Sequence, residues 1–374
     1  MSWPRDDPKL ERVRALMAEE DLDALVVRAP DNVLYLSNYQ PMKGYDMVVF
    51  PREGEATLIV IEPQLEEAGL TAWTTDLRPF GGYDAGDPRP PWARSLDLAV
   101  EACRGLGRVG LELSQGTQVA DRMVGEPTVF TAGFFEAFPG AADASGLLAE
   151  ARAIKTEQEI ERMRLANDLA AGAMEHVKAN LRVGMMESEA AAMWEGYVLA
   201  HGGRGYSLVW SGEGIRTFTA TGNRPVQEHE PTLFEIWVCL DGYWCDHTKN
   251  VCPGSLDARY EELLEQLLGV FEEAVPYARD GADLPGLDRL VRERIGAAGY
   301  PGQPSHPVAH GVGARAHEPP FAHQAGSGTI QTGMVLAIEP GIYWEGGGGL
   351  RLEDNFLITA DGAEKLCSFP DDFR

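Results

Sequence analysis

Between His306 and Glu353 the chain gathers most of the side chains that could do acid–base or metal chemistry. The run opens with His306-Pro307-Val308-Ala309-His310-Gly311-Val312-Gly313 and His317-Glu318, passes through Glu339-Pro340-Gly341 and ends in Arg351-Leu352-Glu353-Asp354. Four of the eight histidines lie between positions 306 and 323, beside proline and glycine, where helical packing is a poor explanation for them. Glu235 and Asp246 add two carboxylates from a predicted hairpin. His310 with Glu235, Asp246, Glu339 and Glu353 would place four like charges in one cleft, which pushes carboxyl pKa values up unless cations are present. Two divalent ions would balance those four charges. Oxygen-rich ligation with one imidazole suits Mn²⁺ first, and also Fe²⁺, Co²⁺ or Zn²⁺. The chemistry such a set supports is two-metal hydrolysis, in which a water is deprotonated and a carbonyl polarised.

These residues are far apart in sequence, so strands must bring them together. Asp241-Gly242 is the pair that a type I′ turn prefers, and Glu235 to Lys249 therefore reads as a hairpin. Pairing Leu240 with Tyr243 sets Trp237 opposite Asp246 and Glu235 opposite Thr248. Glu235 and Asp246 then become diagonal neighbours on one face, roughly 7–8 Å apart at the backbone. An inward Glu235 could instead pair with Arg351 or Lys249. His247 points to the other face, and Trp237, Tyr243 and Trp244 read as core. Alternation groups Val335, Ala337 and Glu339 on one face of a strand 335–339, and Arg351, Glu353 and Asn355 on one face of a strand 350–357. His176, His201, His229 and His323 read as structural or surface residues.

Earlier in the chain, residues 9–20 carry Leu10, Val13, Leu16 and Met17 at helical spacing, and the apolar run Leu25-Val26-Val27 follows. Val33–Leu36, Met47–Phe50 and Thr57–Ile61 read as strands between turn signals at Pro30-Asp31-Asn32 and Pro51-Arg52-Glu53-Gly54. Helices near 64–73 and 116–124, a strand Arg108–Leu113 and a surface loop over 79–92 complete a mixed α/β first domain. From Ala151 the pattern changes. Thr156 is a helix N-cap, Glu157 and Glu159 fill the first turn, and Ile160, Met163, Ala170, Ala173 and Val177 run down one side. Further helices cover 187–200, 257–274 and 284–298, and Gly346-Gly347-Gly348-Gly349 reads as a loop tip. The expected class is α+β, with domains 1–150 and 151–374, the second a curved antiparallel sheet with helices on one face.

A chain of 374 residues, 44% hydrophobic and 24% charged, has room for two globular domains with their own cores. Its formal charge of −26 opposes nucleic-acid phosphates and anionic lipid, so neither is an expected partner. No apolar run approaches the roughly 20 residues that span a bilayer, and Met1–Asp7 has no apolar signal region, which makes the cytoplasm the expected location. Five cysteines, an odd number without a C-x-x-C spacing, read as reduced thiols.

The His310, Glu339-Pro340-Gly341 and Arg351-Leu352-Glu353-Asp354 motifs occur in that order behind three others: Leu22-Asp23-Ala24-Leu25-Val26-Val27, Asn32-Val33-Leu34-Tyr35-Leu36 and Ala153-Ile154-Lys155-Thr156. Over nearly all its length the chain resembles the creatinase/aminopeptidase P/prolidase family. The resemblance implies a pita-bread catalytic domain behind a smaller α/β creatinase-type N-terminal domain, and a homodimer. The family's Asp, Asp, His, Glu, Glu ligands match Glu235, Asp246, His310, Glu339 and Glu353. The resemblance further implies that Glu339 takes the proton of water, that His306 and His317 orient substrate and stabilise the oxyanion, and that Arg351 positions Glu353. The implied activity is hydrolysis of Xaa-Pro dipeptides or of the N-terminal Xaa-Pro bond of short peptides. Two departures keep other readings open. Phe234-Glu235-Ile236 carries Glu where the family has Asp and resembles the ectoine-hydrolase branch, and the family's substrate-side histidine falls at Phe218 or Thr219. The alternatives are a hydrolase of a small non-peptide amide, of the creatinase or ectoine-hydrolase type, and a catalytically silent binding protein on the same scaffold.

Overall fold

The computed structural model describes residues 3–42, 44–82, 86–113, 128–215, 220–344 and 347–372. The chain divides into two compact units, Met1–Arg152 and Ala153–Arg374. The first unit runs α1 (Asp7–Glu19), β1 (Ala24–Val27), α2 (Pro30–Ser37), β2 (Met47–Pro51), β3 (Thr57–Ile61), α3 (Leu65–Thr71), β4 (Asp76–Phe80), α4 (Pro91–Ala102), β5 (Val109–Leu111), α5 (Thr128–Ala137), β6 (Ala142–Asp143) and α6 (Ser145–Ala153). Its strands form one mixed sheet in the order β4-β3-β2-β1-β5-β6. β1 lies inside that sheet and is covered on both faces. Leu25 and Val27 pack with Leu10, Val13, Leu36 and Leu147, while Val26 packs with Leu96, Phe130 and Phe134. A strand buried on both sides needs an unbroken apolar run, which is what Leu25-Val26-Val27 supplies.

Val33–Leu36, expected as a strand, is instead the body of helix α2. Pro30 sits in the first turn, where its fixed φ suits a helix and its missing N–H costs nothing. Asn38 closes the helix in the left-handed region, with φ 61° and its N–H donated to the Leu34 carbonyl. Every residue from Asn32 to Ser37 is buried, so the helix has no polar face and shows no helical period in sequence. The expected loop over 79–92 holds the end of β4 and the start of α4. The helix expected near 116–124 lies outside the described residues.

The second unit runs α7 (Glu157–Asn180), α8 (Glu187–Ala200), β7 (Arg204–Ser211), β8 (Thr232–Leu240), β9 (Tyr243–Val251), α9 (Ala258–Tyr277), α10 (Leu284–Ala297), β10 (Ala309–Gly311), β11 (Glu318–Ala322), β12 (Val335–Ile338), β13 (Gly341–Tyr343), β14 (Gly349–Arg351), β15 (Asp354–Thr359) and β16 (Gly362–Lys365). Thr156 caps α7 in a capping box, its side chain accepting from Glu159 N while the Glu159 carboxylate accepts from Thr156 N. Strands β7-β8-β9 form one antiparallel sheet and β11-β10-β12-β15-β16 another, with β13-β14 as a separate pair. A bridge between Thr248 and Glu353 joins β9 to the start of β15.

Helices α7 and α8 cover one face of the first sheet. Ala170, Met174 and Trp194 pack there on Phe234, Ile236 and Val238, so alternation turns Glu235 and Trp237 to the opposite face. Helices α9 and α10 cover the second sheet in the same way, with Leu264, Leu267 and Val291 packed with Leu336, Ile338 and Phe356. The β8–β9 register pairs Leu240 with Tyr243, Trp237 with Asp246 and Glu235 with Thr248. Asp241 and Gly242 both have positive φ, 49° and 83°, as a type I′ turn requires.

The stretch 350–357, expected as one strand, is split. Arg351 pairs with Gly341 in the small sheet, whereas Asp354 pairs with Ile338 in the large one. Pro340 explains the break: without an N–H it cannot continue the β12 ladder. Its carbonyl instead accepts from Leu352 N at 3.1 Å, so the chain changes sheets at Leu352-Glu353. All five cysteines are free thiols. Among the described residues no helix is long and apolar enough to cross a membrane.

Candidate metal centre

The face of β8–β9 turned away from α7 carries Glu235 and Asp246, and β10, the end of β12 and the start of β15 bring His310, Glu339 and Glu353 to the same place. His310 Nε2 lies 3.6 Å from Asp246 Oδ2, 3.6 Å from Glu339 Oε1 and 3.9 Å from Glu353 Oε1. Such spacings are too long for hydrogen bonds but suit ligands of a common ion, since each metal–ligand bond is about 2.0–2.2 Å. Three overlapping groups have their ligand atoms within 4.8 Å of one another: His310, Glu339 and Glu353; Glu235, Asp246 and Glu353; and Asp246, His310 and His317.

The surroundings fix each donor. His310 Nδ1 is 3.0 Å from the Gly311 carbonyl, which takes the ring N–H and leaves the Nε2 lone pair facing the carboxylates. Asn355 holds the main chain of Asp246 in both directions, donating to its carbonyl at 2.8 Å and accepting from its N–H at 3.1 Å. Thr248 Oγ1 donates to Glu353 Oε2 at 2.7 Å and accepts from Arg351 Nε at 2.6 Å. Arg351 also donates to Tyr343 Oη at 2.8 Å, and its remaining nitrogen contacts the Glu235 carboxylate. Tyr343 Oη stands 3.0 Å from His306 Nε2, and His306 Nδ1 stands 3.1 Å from Glu339 Oε2. A chain of polar contacts thus runs from Glu353 through Thr248, Arg351, Tyr343 and His306 to Glu339. His317 Nε2 is 3.4 Å from Asp246 Oδ2, with its side chain 19% exposed.

Electrostatics separate these groups. Burial, then the charges of Glu353 and Glu339, push the Asp246 carboxyl well above the usual range. Burial and Glu339 push Glu353 up to about 7. Burial lowers His310, keeping its imidazole neutral as a metal ligand must be. Burial opposes the His306 cation, but Glu339 and the Pro307 carbonyl outweigh it and raise the pKa. Burial also brings Arg351 down to about 10.

The residues present fit divalent cations. Both carboxylate oxygens of Asp246 and Nε2 of His310 are buried with no hydrogen-bond partner among the described residues. Buried orphans of that kind call for an ion or an ordered water. The linkage sign follows from the raised acids. A carboxyl whose folded pKa is near 7 binds its proton more tightly when folded, so metal-free stability falls as pH rises from about 4.5 to about 7. Divalent binding in that window displaces the proton. The melting-temperature gap between metal-loaded and chelated protein is therefore expected to widen from about pH 5 to about pH 7.5. Calorimetric scans at both values check this, and a gap that narrows with rising pH would contradict it.

The sequence-level residues that come together here are Glu235, Asp246, His306, His310, His317, Glu339, Glu353 and Arg351. Sequence alone does not mark Thr248, Tyr343 and Asn355 as site residues, although the hairpin register sets Thr248 opposite Glu235. His247, turned to the other face, is buried with Nδ1 3.2 Å from Asp354 Oδ1. Phe218 and Thr219, where the family's substrate-side histidine falls, lie outside the described residues.

Residues 161–360 match the model of metallopeptidase family M24, and residues 9–166 match that of the creatinase/prolidase N-terminal domain. A Bacillus subtilis protein named YkvY, described provisionally as a dipeptidase, is 27% identical over 378 residues, spanning 97% of this chain and 98% of its own. The prolidase from Pyrococcus horikoshii OT3 superposes with a TM-score of 0.82 at 24% identity, covering 98% of this chain and 100% of that one. The Xaa-Pro dipeptidase from Bacillus anthracis does so with a TM-score of 0.83 at 23% identity, covering 98% and 99%. At those identities the two superpositions speak for the fold, a pita-bread domain behind a creatinase-type first domain. With the family model matched across the whole metal-centre region, the chain belongs to metallopeptidase family M24 and is a hydrolase.

Proposed function

We propose that this protein is a metal-dependent peptidase that hydrolyses Xaa-Pro dipeptides or the N-terminal Xaa-Pro bond of short peptides. The observation that carries the reading is the buried ring of Asp246, Glu339 and Glu353 around the free Nε2 of His310. We assign Glu235, Asp246, His310, Glu339 and Glu353 to two divalent ions, Mn²⁺ first, with Fe²⁺, Co²⁺ and Zn²⁺ as alternatives. When bound, such ions polarise a carbonyl and lower the pKa of water. Glu339 accepts the proton of the attacking water, its other oxygen being held by His306. His317, which reaches solvent, orients the substrate and, with His306, stabilises the developing oxyanion. Arg351 holds Glu353 in place through Thr248. The same reading carries a homodimer in the cytoplasm, and light scattering checks the assembly.

The test is a panel of Xaa-Pro dipeptides offered to protein that has been chelated and then reloaded with Mn²⁺, with metal content measured. Hydrolysis is expected in the loaded protein, is lost on chelation and returns with Mn²⁺. Loaded protein that is inert on the whole panel overturns the reading. The contact between Arg351 and Glu235 favours a second reading, in which Glu235 serves the guanidinium rather than an ion and the substrate is a small non-peptide amide. Full activity on such an amide after exhaustive chelation would decide for it.

A further inference from the structure

Two sequence motifs are left unused by this chemistry, the run Ala153-Ile154-Lys155-Thr156 and the glycines of His310-Gly311-Val312-Gly313. They meet inside the second unit. Lys155 Nζ lies 2.9 Å from Glu318 Oε1, and both side chains are almost wholly removed from solvent. Glu318 directly follows His317 and pairs with Gly311 across the β10–β11 ladder, whose register shifts between His310 and Gly311. The glycines make the room. A Cβ on Gly313 would collide with Glu318 Oε1 and come within 2.9 Å of Lys155 Cε, and one on Gly311 would meet the Glu318 carbonyl oxygen at 2.7 Å. The Lys155 main chain is fixed as well, its N–H donating to the Gly333 carbonyl at 2.8 Å, just before β12 leads to Glu339. One buried cation therefore ties together the residue after His317, the irregularity after His310 and the approach to Glu339.

A buried ion pair is often no more stabilising than an apolar pair of similar volume. Its placement, at the residue after His317 and across the ladder from the residue after His310, thus speaks for geometry rather than stability. We propose that Lys155 and Glu318 are positioning residues that set the directions of His310 and His317. Neither reaches the reacting atoms. The proposal rests on the function assigned above, so its test includes a readout that needs no turnover.

Lys155→Met, Glu318→Gln, the double variant Lys155→Met/Glu318→Leu and Lys155→Arg are compared with the parent protein at equal metal content. Each single variant that removes a charge is expected to lose about 10–100-fold in kcat on Xaa-Pro dipeptides, the size seen for outer partners of metal ligands. The apolar double variant regains the parent melting temperature but not kcat, whereas Lys155→Arg recovers part of kcat. In metal-free protein, ¹³C-edited NMR shows the His310 and His317 Cε1 resonances displaced in the first three variants, and those of His176 and His201 unmoved. The proposal is overturned if the double variant regains kcat together with stability, or if the two resonances stay in place. Should the parent protein cleave no Xaa-Pro dipeptide, the functional reading fails by itself and the resonances alone decide the positioning.

Discussion

On the function proposed above, replacing Glu339 with Gln is expected to lower kcat on Xaa-Pro dipeptides by about 10²–10⁴-fold, the range for loss of a positioned proton acceptor. Gln keeps the shape of the side chain and removes its charge and its ability to take a proton. Glu339 stands between two of the site's imidazoles, Oε1 3.6 Å from His310 Nε2 and Oε2 3.1 Å from His306 Nδ1. Its charge also helps to raise Asp246 and Glu353. In Glu339→Gln both neighbours are accordingly expected to titrate closer to the ordinary carboxylate range. Steady-state kinetics at measured metal content checks the first effect. A loss smaller than about tenfold would exclude Glu339 as the proton acceptor.

Much of the site's geometry was legible because strand chemistry is local. Asp241-Gly242 permits two consecutive positive φ angles, which fixes the hairpin, and the hairpin fixes which residues share a face with Asp246. The choice that Glu235 makes was not legible. Sequence leaves Arg351, Lys249 and an ion as possible partners, and the fold sets the carboxylate against Arg351 and also beside Asp246 and Glu353. Lys249 is taken by Asp354 and Asp371 on the other face. Tyr343 gave no signal either, since its role depends on a two-stranded pairing that Pro340 and the Leu352 turn create together.

In the fold, helices with one apolar stripe were readable and those buried all round were not. α1, α7, α9 and α10 expose polar faces, so their periods survive in sequence. α2, buried from Asn32 to Ser37, reads like a strand. α4 begins at Pro91, inside a proline-rich stretch that reads as loop, although Trp92, Leu96 and Ala99 follow at helical spacing. The split of 350–357 has the opposite cause: alternation there is sound, but strand partners change where Pro340 interrupts the ladder.

Replacing Asp354 with Asn is expected to cost about 3–5 kcal/mol of stability at neutral pH, the size reported for removing one partner of a buried charge pair. Asp354 is wholly buried behind Glu353. Its Oδ2 accepts from Lys249 at 2.5 Å and lies 2.8 Å from Lys365 Nζ, and its Oδ1 accepts from Asn355 N at 3.0 Å. Without it, Lys249 and Lys365 would share only Asp371, whose side chain is 18% exposed. Burial alone would raise the Asp354 pKa, yet Lys249, His247 and Lys365 outweigh it and hold the carboxyl far below its usual range. A depressed folded pKa contributes stability that is complete above the unfolded value of about 3.9 and is lost as pH falls toward the folded one. The difference between parent and Asp354→Asn is therefore expected to be full at neutral pH and to shrink in acid below about pH 4. Because Asp354 and Glu353 are adjacent, loosening this anchor is also expected to weaken divalent binding by about 10–100-fold. Urea unfolding of chelated protein at several pH values measures the first effect and metal titration the second. An Asn variant within about 1 kcal/mol of the parent at neutral pH would mean that the two lysines find sufficient charge in Asp371 alone.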